Sequence, residues 1–71
     1  MKQDIKAKYF EAITSCLQFY PNELKAFIDM WNEEDYRQVY LFVLKLKQGQ
    51  FIKLPTSFSE IEEEFYWDHV W

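Results

Sequence analysis

The chain has one cysteine, one histidine, one glycine and two prolines in 71 residues. Each scarcity excludes something. With Cys16 alone, no intramolecular disulfide can form. With His69 as its only companion, a structural zinc site of the usual Cys/His kind is out of reach. Gly49 by itself cannot build a phosphate-cradling loop. Sandwiches and barrels need turn residues at regular intervals, and these are missing. The longest apolar run, residues 39–44, is far too short to span a bilayer. No apolar stretch follows Met1-Lys2-Gln3-Asp4, so a signal peptide is not expected. Together with an unpaired cysteine, that leads to the expectation of a cytoplasmic protein.

What the chain does have is aromatic residues: seven Phe, five Tyr and three Trp. Each ring can bury about 150–250 Å², so a core this small would struggle to hide all fifteen. The rings that do not fit have two fates. Tyr9, Tyr20 and Tyr66 could pack their bodies and keep their hydroxyls wet, or some rings could line an exposed contact patch. The net charge of −4 and pI near 4.8 remove long-range attraction to phosphate backbones and anionic lipids. Neither direct nucleic-acid binding nor membrane binding is expected. A chain this short, without disulfide or metal, needs a dense core or a second chain to be stable.

Hydrophobic periodicity predicts an all-α fold, a compact bundle of about four short helices in a single domain spanning residues 1–71. The first helix is expected over residues 4–20, with Ile5, Tyr9, Ala12, Ile13, Cys16, Leu17 and Tyr20 inward and Phe10 and Phe19 widening that face. Pro21 ends it, and Asn22 reads as the cap of a second helix over 22–31, where Leu24, Phe27, Ile28 and Trp31 share one side. Asn32, followed by Glu33, Glu34 and Asp35, reads as the start of a third helix over 33–48. Tyr36, Val39, Tyr40, Val43 and Leu46 form its main face. Phe42 and Leu44 make it apolar nearly all round, as a central helix should be. Lys45 and Lys47 sit in its last turn, and Gly49 follows as the C′ residue. Residues 50–55 read as an extended connector, with Phe51, Ile52 and Leu54 either buried or in a short strand. The last helix is expected over 58–70, opened by a capping box from Ser57 to Glu60 or from Ser59 to Glu62. Phe58, Ile61 and Phe65 line one side of it; Trp67, Val70 and Trp71 continue on a shifted stripe.

No constellation for catalysis emerges. Cys16 and His69 could form a thiolate and base, but Cys16 falls on the apolar face of the first helix, where a cysteine acts as a small hydrophobe. Glu60 and Glu64, and Glu64 and Asp68, are carboxylate pairs four residues apart, with no Glu-x-x-His and no EF-hand spacing beside them. No cofactor and no metal site is expected. A helix-turn-helix reading fails because Glu33, Glu34 and Asp35 would meet the phosphate backbone.

Two features remain. Residues 56–71 carry five acids and no Lys or Arg, a charge of −5, whereas residues 1–55 carry eight basic and seven acidic residues, a net +1. Helix-dipole effects account for acids in the first turn but not for Glu64 and Asp68. Second, the segment Phe65-Tyr66-Trp67-Asp68-His69-Val70-Trp71 is unusually aromatic. Together they predict a non-catalytic protein-binding module, an inhibitor or adaptor. Its contact residues would be Tyr66, Trp67 and Trp71, ringed by Glu60, Glu63, Glu64 and Asp68, and its partner a protein with a basic surface, such as one that handles nucleic acid. The alternative is a homodimer or larger assembly that uses the aromatic surplus as its self-interface.

Overall fold

Four α-helices follow one another in a computed structural model that describes residues 2–49 and 52–71, with side chains described from Ile5 onward. They are α1 (Lys2–Cys16), α2 (Pro21–Asn32), α3 (Tyr36–Gln48) and α4 (Phe58–Phe65), and α4 runs on into a π-helical turn at Tyr66–Val70. No strand occurs among the described residues, and the fold is a small all-α bundle. α1 packs on α4, α2 on α3, and the π turn on α3. The shortest dimension is 18 Å, about two helix diameters. Every helix therefore keeps one side at the surface.

The core is a stack of rings. Tyr9 and Phe65 lie face to face, with centroids 3.9 Å apart and planes 7° from parallel. Trp31 stacks nearly parallel to both, at 6.2 Å from Tyr9 and 5.8 Å from Phe65. Tyr36 meets Trp31 and Phe65 edge-on, the arrangement favoured by the ring quadrupole. Ile13, Leu17, Phe27, Val39, Val43 and Phe58 close the core around the stack. Density of this kind substitutes for the missing disulfide.

The helix boundaries depart from the periodicity in instructive ways. α1 stops at Cys16 and residues 17–19 turn, so Phe19 is 80% exposed and does not widen the inner face. Phe10, still within α1, does pack, against Phe27 and Trp31. α2 begins at Pro21 itself, not after Asn22, and the carbonyl of Tyr20 accepts from the N–H of Leu24. Proline suits the first helical position because its missing N–H would have no partner there.

The acidic run after Asn32 does not open α3. It terminates α2: Glu34 adopts φ 59°, its N–H donates to Trp31 O, and the N–H of Asp35 donates to Met30 O. This is a Schellman stop with a glutamate where glycine usually stands. The cap of α3 is Asp35, whose carboxylate accepts from the N–H of Gln38 at 3.4 Å. At the other end of α3, Gly49 has φ −80° and its left-handed freedom is unused. Neither capping box forms at α4. Ser57 already has helical angles, and the Ser59 hydroxyl donates to Thr56 O instead.

α3 is not the centre that its composition suggests. Only Val39 and Val43 are fully buried in it, and Leu41 is 44% exposed. A bundle two helices thick has no fully enclosed position, and the rings of α1, α2 and α4 occupy the middle. Residues 52–55 have no regular secondary structure; Ile52 is buried and Leu54 half-buried. The Cys16 thiol donates to Lys53 O at 3.5 Å, tying this connector to α1. The part of the expected connector at Gln50 and Phe51 lies outside the described residues. No helix among the described residues is long and apolar enough to cross a membrane.

Candidate functional site

α4 is held by its inner side. Phe58 and Phe65 are buried against α1, and Lys47 of α3 donates to Glu62 Oε1 at 2.6 Å. These anchors fix the helix about its axis and thereby decide what faces outward. Glu60, Glu63 and Glu64 stand exposed on the far side. The π turn then carries the chain on, with the N–H of Trp71 donating to Tyr66 O, five residues back, at 2.8 Å. Its wider turn accounts for the shifted stripe: Val70 stays against the core while Trp67 and Trp71 turn outward. Helical segments of this type recur at functional sites.

The structure brings the expected contact residues together. Glu60, Glu63, Glu64, Trp67 and Asp68 line one open concavity of about 360 Å³. Trp67 is 57% exposed and Trp71 78%, and the two indoles meet edge-on at 5.7 Å. Tyr66 is half-buried; its ring touches Trp67 at 5.2 Å and Tyr40 of α3 at 5.0 Å. Among the described residues, the one ion pair is Lys47–Glu62, so the four carboxylates around Trp67 have no basic partner. They are also not gathered into a group that could hold a metal ion.

Periodicity alone does not reveal what adjoins this face. Tyr66 and Trp71 also line a second cleft of about 310 Å³ with Arg37, Tyr40, Leu41 and Val70. The apolar surplus of α3 is the signal for it: the helix is half-exposed and not central, with Leu41 44% exposed.

The remaining polar groups lie elsewhere. Tyr9 is fully buried, against the expectation of a wet hydroxyl, and its Oη has no hydrogen-bond partner among the described residues. Burial first, and then the Glu62 carboxylate, pushes its phenol well above the usual tyrosine range. Glu62 Oε2 is likewise buried without a partner. Burial raises Tyr40 as well, with Glu62 adding to it and Lys47 opposing. His69 packs on Tyr36 and Phe65, and its buried Nε2 has no partner among the described residues. Burial and the Lys6 ammonium lower its pKa, and Asp68 acts the other way. Burial raises the Cys16 thiol. His69 sits by Lys6, and Lys6 lies ten residues from Cys16 along α1, about 15 Å. The candidate thiolate and its candidate base thus lie beside opposite ends of α1. No protein-family model, curated protein or solved structure matches this chain.

Proposed function

We propose that the chain is a non-catalytic protein-binding module, an inhibitor or adaptor working in the cytoplasm, that docks the acidic, aromatic face of α4 and the π turn on a basic surface of a partner protein. One observation carries the reading: four carboxylates with no basic partner among the described residues surround an exposed tryptophan in a single concavity. A row of like charges four residues apart destabilises its own helix. A basic surface would remove that penalty while burying Trp67 and Trp71, a layout of aromatic centre and charged rim typical of binding hot spots. A partner that handles nucleic acid suits this chemistry, because its groove already accepts negative charge. Direct contact with nucleic acid or membrane does not suit it.

The test is affinity capture with the wild-type chain, the triple variant E63K/E64K/D68K and Trp67→Ala. A partner held at low salt should be lost by the triple variant and weakened by high salt. Trp67→Ala should weaken binding by about 2 kcal/mol. Equal capture by the triple variant would overturn the reading.

A further inference from the structure

We infer that this face also pairs with a second copy of the chain, in a closed two-fold dimer centred on the aromatic seam. The inference rests on the reading of the acidic face as a docking surface, and it adds an occupant. Its ground is the order of chemistry across the surface. The acidic concavity ends at Trp67, which touches Trp71 and Tyr66. Those two rings line the next cleft with Arg37, Tyr40 and Leu41. Leu41 is also a wall of a third cleft, of about 360 Å³, which contains Lys45 and apolar Met30, Phe42 and Leu44. The surface therefore runs from acid through aromatic to basic without a break.

The basic flank is as uniform as the acidic one. The charges of α3 are Arg37, Lys45 and Lys47, with no acid among them; Arg37 and Lys45 are exposed, and Lys47 is engaged by Glu62. The acids adjacent in sequence, Glu33, Glu34 and Asp35, lie ahead of the helix, where Asp35 is occupied in capping. The flanks also match in length. Arg37 to Lys45 is eight residues, as is Glu60 to Asp68, about 12 Å each. A patch that is acidic on one side of an apolar seam and basic on the other is its own complement under a two-fold rotation through that seam. Glu63, Glu64 and Asp68 of one copy then face Arg37 and Lys45 of the other, while the exposed indoles and Leu41 leave water at the centre. A stable interface takes about 800 Å² per partner, roughly a sixth of the chain's 5192 Å².

Charge reversal tests this directly. Each reversal changes the net charge by two. E63K/E64K/D68K moves the chain from −4 to +2 and leaves both flanks basic; R37E/K45E moves it to −8 and leaves both flanks acidic. By analytical ultracentrifugation the wild type should dimerise with a Kd at or below about 100 µM, and each variant alone should be monomeric. The two variants mixed should pair one to one. As a control for net charge, K8E/K25E also reaches −8 but alters exposed residues of α1 and α2 outside the seam, and it should keep the wild-type dimer. Leu41→Asn, which removes the apolar contact and leaves the charge of both flanks unchanged, should dissociate the dimer; circular dichroism confirms that each variant is folded. A wild type that stays monomeric at about 1 mM, or folded reversals that do not pair when mixed, overturns the dimer. Because foreign-partner capture is read separately, a monomeric wild type that still captures a basic partner sinks only this inference. A dimer that captures none sinks only the earlier reading.

Discussion

At the residue scale, Tyr9 shows how far the ring stack overrides polar preference. Its position on α1 matches the spacing of a core residue, and its hydroxyl suits a boundary site. The stack on Phe65 draws the whole side chain inside, where Oη finds no partner among the described residues. A buried hydroxyl left unpaired costs about 1–3 kcal/mol, while the ring contacts do not depend on the oxygen. Tyr9→Phe is therefore expected to stabilise the chain by about 1 kcal/mol. With a urea slope near 1 kcal/mol per M for so small a protein, the unfolding midpoint should rise by about 1 M. A lower midpoint would show that the hydroxyl makes a bond worth keeping, with the neighbouring Glu62 carboxylate the first candidate. The surface residues behave in the opposite way. Trp67 and Trp71 have the composition of a core and the exposure of an interface.

At the element scale, helix existence was legible and helix ends were not. The inward faces of α1 and α2 follow from three- and four-residue spacing alone, and Ile13, Leu17 and Phe27 lie where that spacing puts them. The ends depend on which of several polar residues captures an unpaired N–H or C=O, and composition cannot decide among close competitors. Asn32, Glu33, Glu34 and Asp35 all resemble a helix start; the Schellman bonds to Trp31 and Met30 turn the first three into a stop and leave the cap to Asp35. The acidic row of the proposed face was legible because α4 is regular. Its α3 half, Arg37, Tyr40 and Leu41, was hidden because a helix apolar on most sides reads the same whether it is central or half-exposed. The stop at Glu34 yields a prediction. A left-handed conformation costs an L-residue about 1–2 kcal/mol, and glycine avoids it. Glu34→Gly should raise stability by about 1 kcal/mol, read by thermal or urea unfolding. A loss of stability would mean that the φ 59° turn does not persist in solution.

At the scale of the whole molecule, the elements converge on the ring stack, and His69 is the titratable group they share. It packs on Phe65 of α4 and Tyr36 of α3, near Lys6 of α1, whose ammonium lies 4.8 Å over the Tyr36 ring, while Asp68 is its neighbour on the π turn. Burial and Lys6 disfavour a second positive charge, and Asp68 only partly offsets them, so the folded pKa lies below the ordinary histidine value. The unfolded chain then binds more protons than the folded one between those two values, and stability rises with pH across that window. The contribution is fully present above the ordinary histidine pKa, about 6.5, and is lost as pH falls through the folded value. Carboxylates titrate just below, so the effect must be read as a difference. His69→Phe keeps a ring against Tyr36 and Phe65 and removes the proton. Relative to that variant, the wild type should lose melting temperature as pH falls below about 6.5, and the gap should stay constant above about pH 7.5. A gap that stays constant over the whole range would mean that the ring is charged as easily in the fold as in water, and that the packing of α1, α3 and the π turn around it is looser than these contacts imply.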